Sequence, residues 1–583
     1  MARFYFGISA ALDNAPVLPR LRPWHVAALV FDVRRCGRRC VMYRIEPRLR
    51  SQELRGAAAE ATPPAVIRLG DPADGTVELG ERTLSLTVPL SGVRVIYYRS
   101  DPGGVWFSDD PRLLVRPGMA LDDRWLLAQL ELAANIAPLS PWKEIRCAPF
   151  GITLSVDLAS LAVRESPAPF FREDGDSSPH GASDQERIEQ AAEIFDDAMR
   201  RFCPSGHGVV LFSGGVDSGL IAARAARMGW RDVILVHTRR FRDDPETENA
   251  RQMAEALRLR FDVFDYKPEE ALSHLSGIFD FCKPVNDFAV IWHSTLAQQA
   301  IEAFPDEGIM MNGTGADALF RGIRNLRKVD WLYSVPAPVR RLCGRLYEAG
   351  NFWARDGRTE NTLRIVRRSA LWSFPSFAVV LNPLGEIAYH APRGARREIA
   401  ERIDGWVESV GRPLGPLQSK ILGVLDNSAT RCHSIVDVCE DAGVSPCFPF
   451  ADPRLVAFAL QVVTRWPESL REGKGVLKQL LVRSVPATQV YRPKAGFSIP
   501  PAETFAHPAF LHALQEVLET SSGPFSGLID RPMVGRIYAA VEQRRRLAWF
   551  TYEFLWALVF GHHWITRIHE HSKGAQKAAA AGH

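Results

Sequence analysis

The chain is poor in cysteine, with nine in 583 residues, an odd number scattered from Cys36 to Cys447. That excludes a disulfide framework, and free thiols fit a reducing compartment. Charge of one sign is also missing. Lys and Arg total 71 and Asp and Glu 67, a net charge of +4, too small an excess for a dedicated nucleic-acid binder of this size. No long apolar run is present. The most apolar stretch, Leu547 to Ile565, carries Glu553, His562 and His563 and is rich in aromatics. A membrane span needs about 20 apolar residues with few charges, so this stretch reads as a buried core helix. The opening residues, Met1 to Gly7, hold no apolar stretch followed by a small-residue cleavage site, so no signal peptide is expected. The expected location is the cytoplasm.

What is present is ordinary globular composition: 46% hydrophobic and 24% charged residues. Disordered and fibrous classes are excluded, and the length suggests two to four domains. Residues 172–186 are polar and turn-rich and read as a linker between two units. Before them, short strand-like runs (Val26 to Val33, Thr83 to Val88, Val93 to Tyr98, Ile152 to Val156) surround a helical stretch from Asp122 to Ala134. This unit, 1–171, reads as α+β and sheet-dominated. After the linker the pattern alternates. Strand-like runs end at Phe212, His237 and Met311; helices are expected from Asp217 to Met228 and after Asp244-Pro245, with Asp as N-cap and Pro at the first helical position. Alternation of this kind predicts a doubly wound parallel sheet, α/β in class. Beyond about residue 330 the chain reads mostly helical, within a unit spanning 187–572, and 573–583 read as a frayed, flexible tail.

The motif richest in chemistry is Ser213-Gly214-Gly215-Val216-Asp217-Ser218, between a strand and a helix. The glycines let backbone approach a ligand, the helix start offers unpaired N–H groups, and the serines add hydroxyls. Together they form an anion cradle suited to phosphate. Asp217 would repel a bare phosphate, so its use is to hold Mg²⁺. A tight strand-to-helix turn would use similar residues, but the combination favours the cradle.

The motif resembles the pyrophosphate loop of the ATP pyrophosphatases, a superfamily that includes asparagine, GMP and NAD synthetases and tRNA-modifying enzymes. The loop does not choose among them. Met311-Asn312-Gly313-Thr314-Gly315-Ala316-Asp317, Arg492-Pro493-Lys494-Ala495-Gly496-Phe497-Ser498-Ile499-Pro500 and the segment Ser445 to Leu455 resemble the asparagine synthetase group. The resemblance implies ATP and Mg²⁺ as cofactors, Asp217 and Asp317 as metal ligands, and Lys494 as the cation that meets pyrophosphate and transition-state charge. It further implies nucleotide contacts from Leu211, Ser213, Gly214, Gly215, Asp217, Ser218, His237, Gly313 and Lys494.

The first 170 residues resemble the class II glutamine amidotransferase domain, an Ntn-type sandwich, through Trp106 to Arg112 and Pro141 to Gly151. Glutamine-using members carry a cysteine that becomes the N-terminus after Met removal and serves as nucleophile. Here position 2 is Ala2 and the first cysteine is Cys36. The expectation is an inactive domain and an enzyme that makes no ammonia. Two kinds of relative lack the cysteine in this way, β-lactam-type synthetases and lasso peptide cyclases, and both close a ring using an amine of the substrate. Thr314 stands where asparagine synthetases carry glutamate and β-lactam synthetases tyrosine. A threonine is no base near neutral pH, whereas a peptide α-amine with a pKa of about 7.7–8.0 is already partly free. Thr314 also reads as a loop-filling residue; it is counted with Lys494, Asp217 and Asp317 as the expected catalytic set.

The resemblance is therefore closest to lasso peptide macrolactam synthetases. A leader-free core peptide would be the substrate, and a leader peptidase, a leader-binding protein and loose association with an export transporter would be the partners, with no nucleic acid and no membrane span. A β-lactam-type synthetase, an ammonia-dependent asparagine synthetase-like ligase and a non-enzymatic scaffold are the alternatives. Two further signals carry little. Cys36 and Cys40, and Cys432-His433 with Cys439 and Cys447, lack a paired metal-binding cluster, and the ten arginines between Arg20 and Arg55 read as a solvated face.

Overall fold

A computed structural model describes residues 3–9, 25–33, 38–46, 65–68, 76–88, 93–102, 104–116, 118–132, 136–168, 183–284, 288–320, 334–349, 397–399, 401–402, 405, 435–439, 444–462, 473–492 and 501–581. Alternation of apolar and polar residues sets the strands of the first part: β1 (Arg3–Ser9), β2 (His25–Val33), β3 (Arg38–Glu46), β4 (Ala65–Arg68), β5 (Thr76–Leu79), β6 (Thr83–Thr87), β7 (Tyr97–Asp101), β8 (Gly104–Ser108), β9 (Arg146–Cys147), β10 (Ile152–Asp157) and β11 (Val163–Pro167). They form two antiparallel sheets, ordered β2-β3-β1-β8-β7-β9 and β11-β10-β6-β5-β4. The pairing of β6 with β10 shows how period-two patterning fixes register. Leu84 and Leu86 meet Val156 and Leu154 on the buried face. On the other face the Thr87 and Thr153 hydroxyls approach to 3.1 Å.

The run beginning at Val93 was expected to be extended throughout, but β7 starts only at Tyr97. Val93 to Ile96 are buried without strand pairing, and Arg94 is turned inward onto Asp109. Helix α1 (Asp123–Leu132) follows the expected stretch. Its entry is fixed by the Asp122 carboxylate, which accepts from the Arg124 N–H at 3.0 Å.

Helix α2 (Asp184–Phe202) starts inside the stretch read as linker. The reason is local: the Ser183 side chain and Glu186 form a reciprocal capping box, which satisfies two orphan N–H groups and nucleates the helix there. The second part then builds β12 (Gly208–Leu211), α3 (Val216–Arg227), β13 (Val233–Arg239), α4 (Pro245–Leu257), β14 (Arg260–Asp265), β15 (Ile309–Met311) and β16 (Ser445–Cys447). All five strands are parallel, ordered β14-β13-β12-β15-β16. The Asp244 carboxylate caps α4 as expected, accepting from the Glu246 N–H at 3.1 Å. Two strands were not anticipated. Both lie at sheet edges: β14 is interrupted by charged residues and β16 contains Pro446, which the outer position of the strand tolerates.

The apolar stretch near the C-terminus is a helix, Trp549–Ala581, with Tyr552, Trp556 and Trp564 almost fully buried. Its backbone is helical as far as Ala581, into the stretch expected to fray, in keeping with the high helix propensity of its alanines. Among the described residues no helix is long and apolar enough to cross a membrane.

The two parts meet through buried contacts. Trp142 packs on Trp564 with ring centroids 5.8 Å apart, and the Trp564 indole donates to the Cys282 carbonyl at 2.9 Å. Lys283, 5% exposed, places its ammonium 3.5 Å from Asp109 of the first part and 3.6 Å from Asp437 of the second, both fully buried. Removing a cation shared by buried carboxylates leaves uncompensated charge. Lys283→Ala should therefore destabilise the fold by about 3–5 kcal/mol, read as a lowered urea midpoint, with Lys283→Met as the volume control.

Burial pushes His562 down from 6.5 to about 4, helped by its neighbour His563 and by Arg531. The unfolded chain then binds a proton that the folded chain refuses. Stability is complete above about pH 6.5 and is lost as pH falls towards 4. The urea midpoint should fall across that window in the wild type, and less steeply in His562→Gln.

Candidate active site

The strand order places a topological switch point at β12. From β12 the chain winds outward on one side through β13 and β14, then crosses to β15 on the other side. In open parallel sheets ligands bind at such points, beyond the carboxyl ends of the strands. The loops leaving β12 and β15 there lead into helices whose first turns carry Asp217 and Asp317.

β12 ends at Leu211, and the Phe212 N–H still bonds the Val236 carbonyl at 2.8 Å. The chain then turns through Ser213-Gly214-Gly215 into α3. Gly214 sits at φ +66°, and a Cβ there would lie 2.8 Å from Ala250 Cα of α4. Glycine is required on both counts. Ser218 Oγ accepts from the Ser213 N–H at 3.1 Å, and Ser213 Oγ accepts from the Gly215 N–H at 3.3 Å. No side-chain cap closes the start of α3, so its end remains a place for an anion.

The loop after β15 is an Asx turn. Asn312 Oδ1 accepts from the Thr314 N–H at 2.7 Å and from the Thr314 hydroxyl. A Cβ on Gly313 would stand 2.9 Å from Asp217 Cβ and 3.1 Å from the Ser218 nitrogen. The two loops are thus in backbone contact, which only glycine permits.

A residue that sequence reading missed joins them. The Lys474 ammonium donates to Asp217 Oδ1 and Oδ2 at 2.6 and 2.5 Å and lies 3.0 Å from Asp317 Oδ1. Its backbone is left-handed, φ +64°, ψ +35°, following Gly473 at φ +60°. Its N–H bonds the Phe320 carbonyl at 2.9 Å. A non-glycine residue in this region carries strain of order 1 kcal/mol, which the surrounding contacts must hold. The Gly473-Lys474-Gly475 turn before an apolar run was the available signal, but nothing in it pointed to carboxylates more than 150 residues away.

Asp217, Asp317, Gly313 and Lys474 therefore come together. Ser213, Gly214, Gly215 and Ser218 form the adjoining loop. Leu211 is buried in β12. His237, 1% exposed, has both ring nitrogens engaged, Nδ1 2.9 Å from the Phe212 carbonyl and Nε2 3.1 Å from Thr247 Oγ1. Burial lowers its pKa, which favours the neutral ring, and its two contacts tie β13, the loop after β12 and α4 together. Thr314 is spent on its own turn. Lys494 lies outside the described residues, as do Cys36 and Cys432-His433. Cys439 and Cys447 are buried.

The asparagine synthase family profile matches residues 190–564. The chain belongs to the asparagine synthase family. No curated protein matches it. Members of this family are ATP-dependent, amide-forming ligases that typically use Mg²⁺. The residues fit that ion: two carboxylates from the first turns of two helices converge on one cation, the Lys474 ammonium, with oxygen donors of the kind Mg²⁺ prefers.

In this member of the family, Gly313→Ala should force the loops apart. The expected result is an ATP affinity at least about tenfold weaker by calorimetry, with a stability loss of about 1–3 kcal/mol.

Proposed function

We propose that the protein is an ATP-dependent lasso peptide macrolactam synthetase. It would activate an Asp or Glu side chain of a leader-free core peptide as the AMP ester and join it to the peptide's N-terminal amine. The reading is supported above all by one contrast. The phosphate loop, Asp217, Asp317 and Lys474 are assembled for ATP, while no thiol stands at the head of β1, where a class II amidotransferase of Ntn type carries its nucleophile. Ala2 precedes that strand in the sequence, and Cys40 of β3 is in register with Ile8 near its far end. An enzyme of this family without its own ammonia source needs an amine from elsewhere, and a substrate amine meets that need.

The chain's residues would divide the work as follows. The Ser213–Ser218 loop and the start of α3 bind phosphate oxygens. Asp217 and Asp317 would hold Mg²⁺, which supplies charge neutralisation at the phosphates. Lys474 keeps a fixed positive charge where charge gathers as the α–β phosphate bond breaks, and Lys494 is assigned the same duty. Thr314, whose hydroxyl donates to Asn312, offers no base, in keeping with a nucleophile that is already partly deprotonated. A preorganised amine and ester can reach effective molarities on the order of 10⁵ M, so holding the folded peptide supplies much of the rate. The first domain then serves as scaffold. A leader peptidase and a leader-binding protein would deliver the peptide in the cytoplasm, with loose attachment to an exporter.

A second reading, ammonia-dependent amide formation on a small amino acid such as aspartate, is favoured by the family match itself.

The test is incubation with ATP, Mg²⁺ and a leader-free core peptide. Pyrophosphate release with loss of one water from the peptide mass supports cyclisation; turnover only with aspartate and ammonium would replace it with the second reading. Asp217→Asn and Asp317→Asn should each cut pyrophosphate release by about 10²-fold or more while the far-ultraviolet circular dichroism stays unchanged.

A further inference from the structure

Arg492 is the last described residue before the segment that contains Lys494, and its guanidinium is only 15% exposed. It makes contacts to two separate elements of the phosphate site. Nη1 and Nη2 donate to Glu246 Oε1 and Oε2 at 3.2 and 2.8 Å, a two-pronged pair. Nη2 also lies 3.3 Å from the Gly214 carbonyl oxygen. Glu246 is itself buried in the first turn of α4, where its N–H is held by the Asp244 carboxylate. One turn further along, Ala250 closes on Gly214 with no room for a Cβ.

The Gly214 carbonyl matters because the loop must show N–H groups, not carbonyl lone pairs, to an anion. A peptide turned the other way would aim an oxygen at the phosphates and repel them. A donor on that carbonyl, fixed from outside the loop, prevents the turn. Glu246 supplies the other half, since a lone guanidinium on a flexible stem holds no geometry, whereas a fork held by a carboxylate does.

We propose that Arg492 and Glu246 form a positioning pair that sets the phosphate loop for ATP, Arg492 by holding the Gly214 carbonyl away from the anion and Glu246 by fixing the guanidinium. The pair deepens the reading of the Ser213–Ser218 loop as the ATP-phosphate site and rests on it. It is not catalytic, because it reaches the ligand only through the loop.

Calorimetry with Mg·ATP and with inorganic pyrophosphate, on the full chain, tests this. Arg492→Lys keeps the charge but loses the fork, and should weaken both ligands by roughly tenfold, the worth of one charge-assisted hydrogen bond. In turnover the KM for ATP should rise more than kcat falls, with the thermal midpoint close to wild type. Glu246→Gln should act in the same direction, and the double variant should be no worse than Arg492→Lys alone, because the two act as one unit. Wild-type affinity in Arg492→Lys overturns the pair while leaving the loop's role intact. A wild-type protein that binds neither ATP nor pyrophosphate overturns the loop reading and the pair with it. If both single variants misfold, the contact belongs to folding and the positioning role is overturned.

Discussion

Two carboxylates of like charge face each other at the switch point of the parallel sheet, and one ammonium makes that arrangement stable. Asp217 rides on the helix after the first strand and Asp317 on the short helix after the fourth. The fold presses their loops together until Gly313 touches Asp217. Without Lys474 between them the two carboxylates would repel one another. With it, one positive charge sits between the two negative ones. Much of the local architecture follows from this demand: a left-handed lysine, a glycine before it, and a backbone bond from Lys474 to Phe320 that fixes where the side chain starts.

Around that centre, rigidity comes from small residues and shared hydrogen bonds. Gly214 meets Ala250, and His237 spans the Phe212 carbonyl and Thr247. Two N–H groups of the loop after β12, on Ser213 and Gly215, bond its own serine hydroxyls. Those bonds hold the turn in one shape. Preorganisation of this kind lowers the ordering cost of binding.

The parts of this architecture that were legible in sequence are those governed by local patterning. The apolar run before Ser213, the Asp244-Pro245 helix start and the buried aromatic helix near the C-terminus each declare themselves within a dozen residues. The turn from Ser213 to Ser218 between strand and helix did so too, because its glycines and serines are adjacent. Edge strands were illegible: β14 alternates with charged residues and β16 contains Pro446, since a strand with one open side need not look like a core strand. Lys474 was illegible for another reason. Its contacts to Asp217 cross more than 250 residues of chain, and an isolated lysine has no spacing that announces such a partner. The start of α2 was missed because a polar, turn-like composition hid a capping box.

Pro446 has a consequence outside the site. In β16 the Ser445 N–H and the Cys447 carbonyl face inward, bonding Gly308 and Asn312. Position 446 therefore faces away from the sheet, and there the chain has no N–H to offer. Pro446 is buried, so an N–H at this position would be shut away from water on the side of the strand that bonds no neighbour in the sheet. The same proline that obscured the strand thus removes a donor that burial would leave hard to satisfy.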